Sequence, residues 1–241
     1  MGRRVAITQS NYIPWKGYFD LIAMVDELIL LDDVQYTRQD WRNRNRIKTP
    51  AGVKWLTIPV RHGPTGQRID QTEVADPTWP SRHWRELRLH YARAPFFEEV
   101  RSFLEPLYLG LAEQRLSRIN RKLIEAVCGA LGLRTRLRWS TDYDPTPTGR
   151  NERLIDLCRQ AGAERYLTVP GTRTYLDENA FGHAGIAVDW MDYSGYPEYP
   201  QLHGAFEHRV TILDLLMSTG PEAPRYLKGT QPITGRGGPN S

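Results

Sequence analysis

The first thirty or so residues constrain the fold more than any other stretch. Arg4 to Gln9 contains the compact apolar run Val5-Ala6-Ile7, which reads as a short buried strand. Pro14 suits a first helical turn, and Tyr18, Leu21, Ile22 and Val25 mark one apolar face of a helix from Trp15 to Val25. Glu27 to Leu31 is a second apolar run and ends at Asp32-Asp33. Strand, helix and strand in so short a span form a βαβ unit, which sets adjacent strands parallel. Open parallel sheets bind ligands beyond the carboxyl ends of their strands. The two polar segments that follow, Gln9 to Tyr18 and Asp32 to Lys48, are therefore expected to form one anion-binding active site.

Downstream, Lys54 to Val60 and Ile69 to Ala75 are expected as strands joined by a turn at Gly63-Pro64-Thr65-Gly66. From Trp79 to Leu133 the periodicity becomes helical, with Trp84, Leu87, Tyr91 and Phe97 as core residues. Strands at Thr135 to Trp139, Arg165 to Val169 and Ile186 to Trp190 then alternate with helical pieces at Asn151 to Ala161 and Tyr175 to Ala184. An apolar helix follows at Arg209 to Met217. The pattern predicts an α/β core from 1–78 and 134–228, a helical insertion at 79–133, and a disordered Gly- and Pro-rich tail at 229–241.

Composition narrows the function classes. The longest apolar stretches fall short of the roughly 18 residues of a membrane span, and Val5-Ala6-Ile7 is too short for a signal peptide. A cytoplasmic protein without membrane partners is expected. Cys128 and Cys158 each lie in a helical apolar pattern without nearby ligands at zinc spacing, so both read as small buried side chains and no metal site is expected. Net charge is +4. Arg38, Arg42, Arg44, Arg46 and Lys48, less Asp40, carry as much excess charge as the entire chain. Charge this local makes a nucleic-acid partner the least favoured reading.

In the first polar segment, Gln9 and Asn11 can donate and accept hydrogen bonds at a strand end. The helix that follows offers free N–H groups to an anion. Tyr12, Trp15 and Tyr18 complete that group, although a plain strand-to-helix turn with Asn11 as cap explains it equally well. The second segment is harder to dismiss as a solvated loop, because Gln35, Tyr36 and Trp41 stand among its charges. Arg42, Arg44 and Arg46 alternate with Asn43 and Asn45, and in an extended chain they share one side. Such a row can grip phosphate or carboxylate in bidentate fashion. Asp33 is a candidate base. Near the end, Tyr199 and Gln201 belong to a Tyr- and Pro-rich segment that can rim a flat ligand, and His203 beside it is the second candidate base. A packed loop over a sheet edge is the competing account.

Val5-Ala6-Ile7-Thr8-Gln9-Ser10-Asn11-Tyr12-Ile13-Pro14-Trp15-Lys16-Gly17-Tyr18-Phe19-Asp20 closely resembles the opening of the WbqC-like protein family. Asp32-Asp33-Val34-Gln35-Tyr36 and Trp41 to Thr49 resemble it too, as do Trp55 to Val60, Arg153-Leu154-Ile155, Tyr199-Pro200-Gln201 and Ile212 to Leu216. One departure is Thr168-Val169-Pro170-Gly171, where the family tends to show a Ser-Gly pair. The resemblance implies a bacterial transferase in surface-polysaccharide or specialised-metabolite biosynthesis. A weaker analogy is to nucleotidyltransferases, which place a His-x-Gly-His signature where Trp15-Lys16-Gly17-Tyr18 stands here. It implies a Rossmann-like, nucleotidyltransferase-like layout, while Trp15 and Tyr18 at the histidine positions count against ordinary adenylation.

The leading expectation is acyl or aminoacyl transfer to an amine, with a small anionic substrate (phosphorylated or carboxylate) and a carrier-bound or activated acyl donor; the sequence leaves the cofactor unknown. An ATP-dependent adenylating enzyme and a non-catalytic RNA- or tRNA-binding protein are the alternatives.

Overall fold

The computed structural model describes residues 2–144 and 147–230. The chain opens with β1 (Arg4–Thr8), α1 (Lys16–Ala23) and β2 (Glu27–Leu30), followed by a hairpin of β3 (Arg44–Thr49) and β4 (Gly52–Thr57). Three long helices come next, α2 (Trp79–Tyr91), α3 (Phe97–Leu109) and α4 (Leu116–Ala130). The chain then alternates through β5 (Arg136–Trp139), α5 (Arg150–Gln160), β6 (Arg165–Thr168), α6 (Glu178–His183) and β7 (Ala187–Trp190) before α7 (Ile212–Thr219).

Five strands make one wholly parallel sheet in the order β5-β2-β1-β6-β7. The chain runs outward from β1 through β2 to β5, then returns to the other side of β1 for β6 and β7. This reversal makes the gap between β1 and β6 the topological switch point of a doubly wound, Rossmann-like sheet. Successive side chains of a strand point to opposite faces, and the core divides accordingly. Ala6, Leu28 and Leu30 face the large apolar cluster shared by α1, the hairpin, α2 to α4 and α7. Val5, Ile7 and Ile29 face a smaller cluster with Leu154, Leu157 and Cys158 of α5 and Phe181 of α6. Among the described residues no helix is long and apolar enough to cross a membrane.

Two expectations are corrected. Arg44–Thr49, expected within a polar loop, is a strand paired with β4, and Gly52, which opens β4 after the turn, has a φ of +105° that suits glycine. The inward-facing Asn45, and Asn43 just before the strand, are polar, so hydrophobic alternation gave no sign of a strand. Ile69–Gln71 forms a 3-10 turn rather than a strand, and among the described residues Val60 and Val74 form the isolated bridge across the Gly63–Gly66 connection. Gly229, where the tail is expected to start, donates its N–H to Asp20 Oδ1 at 2.6 Å, and 231–241 lie outside the described residues.

Candidate functional site

At the switch point the carboxyl ends of β1 and β6 open onto a cavity of about 580 Å³. Thr8 and Gln9 at the end of β1 form one side, and Val169, Gly171 and Thr172 after β6 form the other. Arg42, Arg150 and Arg153 supply its charge. Each arginine is held differently. Arg42 precedes β3, its side chain is only 15 % exposed, and it donates to Asn11 Oδ1 and lies 3.5 Å from Asp40. Burial lowers its pKa, with Asp40, Tyr18 and Asp32 opposing that change. Arg150 begins α5 and stacks 4.4 Å over the Tyr175 ring. Arg153, one turn on, pairs with Asp33, and its buried Nε has no hydrogen-bond partner among the described residues. Asp40 and Asp33 offset two of the three guanidinium groups and no acid among the described residues lines the cavity itself, so it stays electropositive, suited to an anion.

Asp33 also accepts the Ser140 hydroxyl at 2.6 Å. Burial would push its carboxyl up, but Ser140 and Arg153 hold it below the ordinary range, which makes it a weak base. Its neighbour Asp32 is the reverse case. Asp32 Oδ1 accepts the Ser10 N–H at 2.8 Å, and Oδ2 has no hydrogen-bond partner among the described residues. Burial, opposed by Ser10 and Arg42, carries its pKa up to about 6. Both aspartates line an adjoining cavity of about 350 Å³ with Asp70, Trp139 and Ser140, over the ends of β2 and β5.

The residues expected from sequence divide among several places. Gln9 and Arg42 line the crevice. Asn11, Trp15 and Trp41 line a separate slot of about 180 Å³. Tyr36, Asn43 and Arg44 border another hollow, and Arg46 reaches toward Glu207 at 3.9 Å. Asn43 donates to Ile58 O at 2.8 Å, inside the hairpin. Gln35 bridges Arg68 through the backbone. Tyr12 is fully buried, bonding His83 Nδ1 and Tyr108 Oη at 2.7 Å each. Tyr18 donates its hydroxyl to Gln9 O at 3.1 Å, and so supports the crevice from behind. Tyr199 and Gln201 donate to buried Asp214 at 2.8 and 2.9 Å. His203 meets His90 O at 2.8 Å and does not line the crevice.

Arg150, Arg153, Thr172 and Tyr175 are not singled out from sequence as site residues. The strand-end rule applied to β6 points to Thr172, and arginines three apart at a helix start share a face. Asp32 opens the second polar segment, but its raised proton affinity rests on burial, which the sequence does not disclose.

Fold and cavity together define a Rossmann-like α/β protein with a basic crevice at its switch point. The chain belongs to the WbqC-like protein family, whose family model matches residues 9–226. It is also similar to the uncharacterized protein Rv1507c of Mycobacterium tuberculosis, 50 % identical over 227 residues, which cover 94 % of this chain and 98 % of that protein. No solved structure matches it.

Proposed function

We propose that this protein is a biosynthetic transferase that moves an acyl or aminoacyl group from an activated, anionic donor to an amine. The observation that carries the reading is the convergence of Arg42, Arg150 and Arg153 on the β1–β6 crevice. Arginine forks match the oxygen geometry of phosphate and carboxylate. Gln9 flanks them with an amide able to orient a neutral carbonyl.

In this reading the amine nitrogen attacks the acyl carbon, a C–N bond forms, and the anionic leaving group departs with the bonding electrons. The arginines stabilise the charge that gathers on the leaving group. The proton released from the amine goes to a carboxylate. Asp32 is better matched to that task than Asp33, since a base works best with a pKa approaching the working pH. The cavity beside the crevice, where Asp32, Asp33 and Asp70 stand with Arg115 and Arg118, offers carboxylates to an amine before it reacts.

Titration calorimetry with inorganic pyrophosphate as probe tests the anion site. Binding is expected for the native protein, with a loss of roughly tenfold or more in Arg42→Ala and in Arg153→Ala, since hydrogen bonds to charged groups contribute about 1.5–3 kcal/mol. Mass spectrometry of products from acyl phosphates and amino acids then tests transfer. Absence of pyrophosphate binding by folded protein would remove the foundation of the reading.

A further inference from the structure

On the other side of Arg42 the surface carries an aromatic and cationic patch. Trp41 and Trp55 are 39 % and 42 % exposed, with ring centroids 5.3 Å apart and planes inclined by 40°. The Arg44 guanidinium lies 4.2 Å over Trp55, and that of Arg46 lies 5.7 Å from Trp55 and 5.9 Å from Trp41. Large exposed aromatics grouped with arginines on one hairpin are a recognition surface in composition.

Beside this pair is the slot of about 180 Å³, lined by Pro14, Trp15, Trp41, Asn11, Asn45 and Arg209. It is rigidly built. A Cβ on Gly17 would run into the Trp15 ring, so the glycine lets that indole lie against the first turn of α1. Tyr193 and Tyr196 brace Trp15 from centroid distances of 5.2 and 5.9 Å. The backbone just before is strained: Ile13 has φ +34°, unusual for a β-branched residue. Asn45 Nδ2 holds that turn by donating to Tyr12 O at 3.1 Å and Ile13 O at 2.8 Å. Strain held in place by buried hydrogen bonds points to a geometry kept for a purpose.

The slot and the crevice are neighbours. Asn11 lines the first, Arg42 lines the second, and the two side chains bond each other. We propose that the slot receives the planar ring of a nucleoside diphosphate whose phosphates occupy the arginine crevice. This proposal rests on the anion-site reading above and names the chemical class of the donor's leaving group. A slot of this size admits one flat ring, Trp15 and Trp41 supply apolar walls, and Arg209 adds positive charge. Asn11 Oδ1 is occupied by Arg42, which leaves the amide N–H groups to meet acceptors on the ring edge.

The test compares inorganic pyrophosphate, ADP, UDP and adenosine by calorimetry and tryptophan fluorescence. Base–aromatic stacking contributes about 1–3 kcal/mol, so ADP or UDP should bind about tenfold or more tightly than pyrophosphate. Trp41→Ala should remove that advantage and leave pyrophosphate affinity unchanged, whereas Arg42→Ala should weaken both. Trp41 is partly exposed, so its variant should fold, and circular dichroism would check this. Equal affinity for pyrophosphate and both nucleotides in the native protein overturns the slot while leaving the anion site standing. A slot-dependent response to adenosine without pyrophosphate binding would support the slot and sink the anion reading. Tighter, strongly salt-dependent binding of a short oligonucleotide that Trp41→Ala abolishes would replace the nucleotide with single-stranded RNA and overturn the proposal.

Discussion

Asp32→Asn should make the protein more stable at neutral pH than the native chain, and much less so in acid. Asp32 is 1 % exposed, its Oδ2 has no hydrogen-bond partner among the described residues, and burial is the largest influence on it, raising its carboxyl from 3.8 to about 6. A shift of roughly two units corresponds to about 3 kcal/mol between the two protonation states. Because the folded pKa lies above the unfolded one, the stability this group contributes is fully present below 3.8 and is lost as pH rises through about 6. His83 runs the other way: burial lowers its pKa from 6.5 to about 4, so its contribution is present above 6.5 and lost as pH falls through about 4. The two nearly cancel in the native protein, so a native pH profile alone says little. The difference between variant and native chain isolates Asp32. An asparagine keeps an oxygen for the Ser10 N–H and removes the charge. Urea denaturation at about pH 4 and about pH 7.5 should show the variant gaining roughly 2 kcal/mol relative to native between the two conditions. A gain of zero, or a loss at neutral pH, would mean that attraction to Arg42 outweighs the cost of burying Asp32, and would refute the reasoning.

The thiols and the β1 turn give two further tests. Burial raises both Cys128 and Cys158 to about 12, so a thiol reagent at about pH 8 should label neither in native protein and both in denaturant, since thiolate is the reactive form. Rapid labelling of either in the folded state would contradict the packing described. Asn45→Ala removes two donors to backbone carbonyls and the acceptor for the Arg46 N–H at 2.7 Å. It should cost about 2–4 kcal/mol in urea unfolding, and Asn45→Asp should not rescue it, because a carboxylate cannot donate to carbonyls. Rescue by aspartate would show that the Arg46 contact, rather than the turn, is what matters.

The sheet was legible in the sequence because β1 and β2 hold short apolar runs that open a βαβ unit, while the more polar β5, β6 and β7 were legible from their alternation with helices. The helices were legible for the same reason: Trp84, Leu87, Tyr91 and Phe97 all lie in the core at helical spacing. The hairpin was not. β3 reads Arg-Asn-Arg-Ile-Lys-Thr, and its inner positions hold Asn45 where a strand usually holds an aliphatic side chain. The location of the site could be read from strand ends, but its membership could not. Arg42 and Gln9 reach the crevice, whereas Arg44 and Arg46, just beyond Arg42 on β3, lie against tryptophans. Tyr12 sits within that motif and is core, because the turn at Ile13 sends it inward to His83 and Tyr108. Asp32 and Asp33 are adjacent, yet burial and pairing drive their proton affinities in opposite directions. Such differences depend on three-dimensional neighbours far along the chain, here Ser140 and Arg153, which no local pattern discloses.

The polar character of β3 has a structural consequence that links the hairpin to the crevice. Asn43 ties β3 to Ile58 O. Asn45 ties it to the strained turn after β1, and the Tyr12 N–H returns the contact by donating to Trp41 O at 3.0 Å. Asn120 of α4 adds a further bond, from Nδ2 to Arg42 O at 2.9 Å, and a second to Ser10 Oγ at 3.1 Å. The backbone on both sides of Arg42 is thus fixed to the β1 turn, to β4 and to α4. An aliphatic residue at 43 or 45 would serve the core equally well, but it would leave buried carbonyls unpaired and the arginine free to swing. The asparagines exchange hydrophobic burial for directional bonds, and the gain is a guanidinium held at the switch point before any ligand arrives. Preorganisation of that kind is what an electrostatic site needs, since charge aimed in advance costs no rearrangement when an anion binds.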